Sequence, residues 1–149
     1  MPAVYENTGI RFLYPENWSI TEEEIEEWPR NVTLQSPDTG FWSLQVFPPG
    51  HEPRPSVQEM IGSLREIYGE IEVLPVKETY GDTETKGVDL AFFYLDLMIE
   101  SKIRTLRTPS STLIWQYQAE SREFDDLEAV FQAISTSLLA TQVSLESPR

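Results

Sequence analysis

Residues 111–139 read STLIWQYQAESREFDDLEAVFQAISTSLL and contain a strand pattern followed directly by a helix pattern. In the first part, Leu113, Trp115, Tyr117 and Ala119 alternate largely with polar residues. A period of two is typical of a strand that buries one face more than the other. We therefore expect a strand with Trp115 and Tyr117 on its buried face.

The second part of this stretch predicts an amphipathic helix. Asp125-Asp126-Leu127-Glu128 places an Asx residue three positions before a glutamate, and this capping-box pattern predicts the helix start. One helical stripe then collects five apolar residues, Leu127, Val130, Phe131, Ile134 and Leu138. We expect this stripe to cover a sheet built by the rest of the chain.

The remainder of the chain predicts strands, joined by short turns, and one further helix. The predicted strands are residues 9–14, 18–20, 31–36, 41–47, 71–80, 85–99 and 102–108. Residues 21–27 predict at most one helical turn, because Pro29 prevents a longer helix. The further helix is predicted to begin at the capping box Ser56-Val57-Gln58-Glu59 and to end at Gly69.

Two of these strands indicate the layers of the fold. Pro75 predicts that strand 71–80 lies at an edge or contains a bulge. Strand 85–99 is apolar on both faces, which predicts a central strand covered on both sides. Short connections favour antiparallel pairing. The sequence thus predicts an α+β fold, a three-layer α/β/α sandwich with a mostly antiparallel sheet and one helix on each face. We expect one domain, 1–140, and a flexible tail, 141–149.

The charge balance limits the classes of partner. The 149 residues carry 11 basic and 25 acidic side chains, for a formal net charge of −14. Nucleic-acid binding needs clustered Lys and Arg that neutralise phosphates, so we expect no nucleic-acid partner. An anionic membrane surface repels the chain for the same reason. The longest apolar run, residues 90–95, is too short to span a bilayer, and we expect no membrane insertion.

Cysteine usage and the N-terminal residues bear on the compartment. The sequence has no cysteine, which excludes disulfides, thiolate nucleophiles and thiolate metal sites. Residues 1–6 lack a basic segment followed by a long apolar stretch, so no signal peptide is predicted. We therefore expect a soluble, cytoplasmic protein.

The sequence contains no recognisable catalytic pattern. His51 is the single histidine, so a zinc site built from several histidines is excluded, and no Gly-x-Ser-x-Gly motif occurs. The seven glycines are scattered and form no phosphate-binding loop. We expect a protein that is not an enzyme and has no cofactor and no metal. The remaining enzymatic hypothesis uses Asp96 with Lys102 or Arg104.

The densest charge cluster is the glutamate-rich run 22–27. A calcium loop needs alternating acidic ligands, a glycine-permitted turn and a closing glutamate. The run has neither this spacing nor a glycine. A solvated acidic turn is the simplest interpretation.

Two sets of residues are candidates for binding. The candidate partner-binding residues are Trp28, Lys102, Arg104 and Arg107. They combine an aromatic side chain among polar neighbours with the cationic cluster of an acidic chain. If residues 102–108 form a strand, Lys102 and Arg104 share a face and Arg107 points the opposite way. The candidate apolar pocket between sheet and helix is lined by Trp42, Phe92, Tyr94 and Trp115, with simple core packing as the alternative.

A family resemblance adds to this reasoning. Residues 10–18, IRFLYPENW, resemble the strand-Tyr-Pro-x-x-Trp opening of the PsbP-like superfamily. That group includes the extrinsic photosystem II subunit, the Ran-binding Mog protein and bacterial domains of unknown function. Gly87 in a long strand, Trp115-Gln116-Tyr117 and the closing helix 124–138 are similar too. The resemblance implies an α/β/α sandwich whose members mostly bind other proteins, without a shared active site.

These observations favour a non-enzymatic, protein-binding or chaperone-like module. The alternative hypothesis is a carrier of a small molecule or lipid that uses the candidate apolar pocket.

Overall fold

The structure is a computed structural model that describes residues 2–23 and 28–145. The elements in chain order are β1 (Pro2–Asn7), β2 (Ile10–Pro15), β3 (Ser19–Glu23), β4 (Arg30–Gln35), β5 (Phe41–Phe47), α1 (Pro53–Tyr68), β6 (Glu72–Tyr80), β7 (Thr83–Tyr94), β8 (Leu97–Arg107), β9 (Thr112–Glu120) and α2 (Ser121–Leu139). Seven strands form one sheet in the order β3-β4-β5-β9-β8-β7-β6, and β1 pairs with β2 in a separate hairpin. Every strand pair is antiparallel.

The two helices cover opposite faces of the seven-stranded sheet. On one face, α1 packs a small core of Phe47, Val57, Ile61, Leu90, Ile103 and Ile114. On the other face, α2 and the β1–β2 hairpin cover the larger core, in which the ring centroids of Phe12 and Trp42 are 4.9 Å apart. The predicted α+β fold and three-layer sandwich are therefore confirmed. No helix among the described residues has the length and apolar character needed to cross a bilayer.

The apolar stripe of α2 is buried as predicted, but both helices begin earlier than the capping boxes indicate. Phe131, Ile134 and Leu138 are buried, and Leu127 and Val130 pack partly against them. Helix α2 begins at Ser121, after an N-cap residue whose carboxylate accepts a hydrogen bond from the Arg122 N–H. Helix α1 begins at Pro53, since proline fits the first turn, where its missing N–H is not needed. Both predicted helix starts are wrong, while the predicted stop at Gly69 is confirmed by its φ of 83°.

The predicted long strand 85–99 is wrong, because the chain turns within it. Strand β7 ends at Tyr94, Leu95 and Asp96 form the turn, and β8 runs through the predicted turn at residues 100–101. Strand β7 is second from the edge, and β9 is the central strand of the seven. Strand β6, which contains Pro75, lies at the edge as predicted. Asp96 is the local signal for the turn, because aspartate is depleted in strands and favoured in turns.

The N-terminal segment contains one more strand than predicted. Strand β1 pairs along β2, and β3 extends through residues 21–23, so the predicted helical turn is wrong over those residues. Residues 24–27 of the acidic run lie outside the described residues. The Glu22 carboxylate accepts hydrogen bonds from the Tyr5 hydroxyl at 2.7 Å and the Asn7 amide at 2.8 Å, which tie β1 to β3.

The predicted tail contacts the domain over its described part. The Gln142 side chain donates to the carbonyl oxygen of Gly9 at 3.1 Å, and the Leu145 N–H donates to the carbonyl oxygen of Arg107 at 2.9 Å. Residues 146–149 lie outside the described part of the chain.

Replacing Phe131 by alanine tests the role of α2 as the cover of the larger core. The Phe131 ring is fully buried, with its centroid 5.0 Å from that of Tyr117 and 5.6 Å from that of Phe124. We expect Phe131→Ala to lower the free energy of unfolding by about 3–5 kcal/mol in chemical denaturation. The exposed control Phe93→Ala should change it by less than about 0.5 kcal/mol. Equal effects of the two changes would show that α2 does not close the core.

Candidate interaction surface

The β7–β8 hairpin ends in a cluster of exposed apolar side chains. Phe93, Tyr94, Leu95 and Leu97 have exposed fractions of 58, 53, 81 and 37%. We call these four residues the hairpin tip. Leu95 has a φ of 56°, in a region that bulky side chains rarely adopt. An exposed apolar cluster held on two long strands is typical of an interaction surface.

Helix α1 supports one side of the hairpin tip. The Tyr68 ring stacks on Phe92, with centroids 4.6 Å apart, and meets Tyr94 edge-on at 5.7 Å. Side chains alternate along a strand, so Phe93 points to the opposite face from Phe92 and Tyr94. The tip therefore has one side anchored on α1 and one side, with Phe93, left open.

The open side of the tip continues along the sheet. Register places Glu72, Ala91 and Glu100 side by side, and Phe93 opposite Met98. The next row joins Leu74, Asp89 and Lys102 on the same face. This is the face of α2, because Lys102 lies 5.4 Å from the Phe124 ring centroid. We call Glu72, Leu74, Ala91, Phe93, Met98 and Glu100 the β6–β8 face. Leu74 is 61% exposed, so α2 leaves this face uncovered.

Two shallow depressions mark the β6–β8 face. One, of about 640 Å³, has Arg65, Glu70, Glu72, Phe93 and Met98 among its lining residues. The other, of about 580 Å³, is lined by Glu72 and by the neighbouring row of Leu74, Asp89 and Lys102. Within the described part of the chain, Glu72 and Glu100 form no ion pair. The face therefore combines apolar side chains with unpaired negative charge.

The three cationic candidates do not form one surface. Lys102 and Arg104 share the α2 face and Arg107 has the opposite orientation, as the strand pattern predicts. The Lys102 ammonium lies 3.4 Å from the Glu128 carboxylate. Arg104 is only 1% exposed, so its side chain is not accessible to a partner. Arg107 is half-buried, and its backbone carbonyl contacts the C-terminal segment. A role of Lys102 and Arg107 in partner binding stays a prediction.

Arg104 is the centre of a buried polar cluster. Its guanidinium lies 2.9 Å from the Glu78 carboxylate and 2.7 Å from that of Asp89. Glu78 also accepts a hydrogen bond from the Tyr80 hydroxyl at 2.6 Å and from the Gln132 amide at 3.1 Å. All these groups are mutually satisfied, so the cluster holds β6, β7, β8 and α2 together.

The electrostatics of this cluster favour a charged Glu78. Burial alone raises the pKa of Glu78, but the hydrogen bonds from Tyr80 and Arg104 and the charge of Arg104 outweigh it and lower the pKa below its usual range. Burial raises the pKa of the Tyr80 and Tyr117 hydroxyls above the usual tyrosine range, so both remain hydrogen-bond donors in this cluster.

The four candidate pocket residues do not line one cavity. Trp42 and Trp115 are fully buried in the larger core, beneath α2 and the β1–β2 hairpin. Phe92 and Tyr94 lie on the face of α1, beside Tyr68. Trp42 and Trp115 are therefore core residues, as the alternative interpretation of simple core packing has it.

Trp28 forms a separate exposed site. It is 48% exposed, and the Arg30 guanidinium lies 5.5 Å from its ring centroid. Strands β4 and β7 are four positions apart in the sheet, which corresponds to roughly 20 Å. Trp28 and the hairpin tip are therefore distinct patches.

The residues of the enzymatic hypothesis are not brought together. Asp96 is exposed at the hairpin turn, and Lys102 lies six residues further along, a separation of roughly 20 Å in an extended strand. The His51 ring stacks on Phe47 at 4.0 Å, and its Nε2 lies 2.8 Å from the Ser56 hydroxyl. Residues 2–23 and 28–145 contain no cluster of His, Cys, Asp or Glu able to hold a metal ion.

Phe93, Leu95 and Leu97 of the hairpin tip, and Glu72 and Glu100 beside it, are site residues that sequence reasoning missed, and the exposure of Tyr94 was not predicted either. The apolar pattern of 85–99 predicts one strand buried on both faces, and that prediction gives no sign of its exposed residues. A turn at Asp96 would have placed Phe93 and Leu97 at a hairpin end, where covering elements are scarce.

The fold belongs to a class of antiparallel sandwiches seen in solved structures. Cyanobacterial PsbP from Synechocystis matches with a TM-score of 0.62 at 11% identity, over 91% of this chain and 90% of that chain. Mog1, solved as a mutant, matches with a TM-score of 0.53 at 8% identity, over 99% and 97%. A protein from Bacteroides thetaiotaomicron matches with a TM-score of 0.55 at 13% identity, where this chain covers 48% of the other.

These matches define the fold as the one shared by cyanobacterial PsbP and Mog1, and the predicted PsbP-like fold is confirmed. At 8–13% identity the likeness concerns the fold alone. No protein-family profile and no curated protein sequence matches the chain.

Neutralising Glu78 tests the structural role of the polar cluster. Glu78→Gln removes one ion pair of the buried Arg104, so we expect a loss of about 1–3 kcal/mol in the free energy of unfolding at pH 7. The exposed Glu72→Gln variant is the matched control and should change it by less than about 0.5 kcal/mol.

The same variants also test how the stabilisation by Glu78 depends on pH. Because the folded-state pKa of Glu78 is lowered, its stabilisation is complete above the ordinary glutamate pKa of about 4.3 and is lost as the pH falls through the folded value. The difference between wild type and Glu78→Gln should therefore shrink in acid. A difference that grows below pH 4 would contradict this assignment.

Proposed function

We propose that this chain is a protein-binding module that uses the hairpin tip as its contact. The observation that carries the proposal is the exposure of four large apolar side chains around one turn, Phe93 to Leu97. Such side chains are costly in water, and a contiguous exposed group of them recurs where a protein surface binds a partner.

Two further observations support a binding role. Aromatic contacts of Tyr68 with Phe92 and Tyr94 anchor one side of the tip on α1, which reduces the conformational entropy that Tyr94 loses when the tip is covered. The resemblance to the PsbP-like superfamily also implies a protein partner. Trp28 is a second, separate candidate contact. The proposed role is non-enzymatic and cytoplasmic, and the absence of cysteine is compatible with a reducing compartment.

Site-specific photo-crosslinking tests the hairpin tip. A photoreactive phenylalanine analogue at position 93, in the full chain expressed in cells of the source organism, should give a discrete crosslinked species. The same analogue at the exposed Glu59 of α1 is the control and should not give it. The double variant Leu95→Ser, Leu97→Ser should abolish the adduct while the melting temperature stays within a few degrees, since both residues are exposed. Identical crosslinking from positions 93 and 59 would contradict the proposal.

A second candidate function is the binding of a small apolar molecule. A cleft of about 650 Å³ lies between β2 and α2 and is lined mainly by apolar residues, among them Leu13, Val130, Ala133 and Ile134. Its size is in the range of small-molecule sites. We propose this cleft in place of the pocket predicted around Trp42 and Trp115.

Filling the cleft tests this second candidate. Ala133→Trp places a large side chain in the cleft, so we expect it to reduce the fluorescence gain of Nile red at least severalfold if that dye binds there. Phe93→Ser serves as the control, because it removes apolar surface elsewhere. Loss of the dye signal in Phe93→Ser but not in Ala133→Trp would assign the dye to the hairpin tip and reject the cleft.

A further inference from the structure

We infer that the partner segment is basic and amphipathic and that it lies on the β6–β8 face. This inference rests on the proposed function and adds the chemical class of the partner. It combines the apolar side chains of the face with the carboxylates that surround them.

The carboxylates around the face are not neutralised by the chain itself. Glu70, Glu72, Asp96 and Glu100 form no ion pair within residues 2–23 and 28–145. The nearby cations are Arg65, which lines one of the depressions, and Lys102, which is already paired with Glu128. A partner that covers the face therefore has to bring positive charge, since buried unpaired carboxylates are strongly unfavourable.

The apolar residues of the face set the second requirement. Leu74 and Phe93 are 61% and 58% exposed. In the register, Ala91 lies between them with Glu72 on one side and Glu100 on the other, and Met98 lies opposite Phe93. A helix or strand that presents apolar residues on one side and Lys or Arg at its borders matches this arrangement. Its apolar side covers Leu74 and Phe93, while its cations reach Glu72 and Glu100.

The same charges disfavour two other occupants. In a symmetric dimer built on this face, Glu72 and Glu100 of one copy would meet carboxylates of the other, and like charges in contact are repulsive. Anionic lipid headgroups would be repelled by Glu70, Glu72 and Asp96 in the same way. A cationic protein segment avoids both conflicts.

Selection from a random peptide library tests the inference without assuming a sequence. Peptides displayed on phage are selected on the full chain, and those that still bind the Phe93→Ser, Leu95→Ser variant are removed. We expect the remaining peptides to be enriched in Lys and Arg together with Leu, Ile or aromatic residues. Binding of a synthesised peptide should weaken about tenfold in Glu72→Gln, Glu100→Gln and should weaken as the salt concentration rises.

A control of equal charge separates this face from the general acidity of the chain. Glu16→Gln, Glu59→Gln removes two exposed carboxylates outside the face and should leave the affinity within about twofold. Equal weakening in both double variants, or selection of neutral or acidic peptides, would overturn the inference and leave the hairpin-tip proposal standing. Failure to select any peptide that depends on Phe93 and Leu95, while position 93 still crosslinks in cells, would also overturn it. Failure of both would reject the proposed function itself.

Binding to lipid vesicles and self-association are measured on the same protein. Light scattering should give the mass of a monomer, and the chain should not sediment with phosphatidylcholine vesicles. A dimer or vesicle binding that disappears in Phe93→Ser, Leu95→Ser would assign the face to that occupant and overturn the inference.

Discussion

The rest of the structure depends on the neutralisation of one arginine buried in the sheet. The Arg104 guanidinium contacts the Glu78 and Asp89 carboxylates, so strands β6, β7 and β8 must lie in one register for all three to meet. Gly87 lies directly opposite Arg104, and a Cβ atom there would overlap the carbonyl oxygen of Ile103. A side chain at position 87 would push the strands apart and leave a charge buried without its partners, which is strongly unfavourable.

This cluster also determines where α2 can lie and which part of the sheet it leaves open. The amide of Gln132 contacts Glu78 of the edge strand β6, and the carboxylate of Glu128 contacts Lys102 of β8, so the helix crosses β6, β7 and β8 away from the hairpin tip. The apolar stripe around Phe131 fills the space above β9 and the β1–β2 hairpin. The helix does not reach the ends of these strands near the hairpin tip, where Leu74 and Phe93 are exposed. The β6–β8 face is thus exposed as a consequence of how the core is closed.

Much of the architecture follows from local patterns, and the candidate site does not. Alternation around Trp115 and the stripe of α2 predict the strand, the helix and their contact, because both patterns report the buried side directly. The two arms of a hairpin show the same alternation as one long strand, so the pattern of residues 85–99 does not reveal the turn at Asp96. The burial of Arg104 was also not predictable, since its partners Glu78 and Asp89 come from separate strands.

The edge strand limits how a partner can bind beside the hairpin tip. An exposed edge normally offers unpaired N–H and C=O groups to a further strand. In β6, Pro75 has no N–H to donate and Lys77 places a charge on the edge strand, both of which disfavour strand addition. Recognition by backbone pairing is therefore unfavourable here, and the side chains of the face carry it. Specificity then depends on the spacing of Glu72 and Glu100 on either side of Ala91, next to Phe93, which the pairing of β6, β7 and β8 fixes.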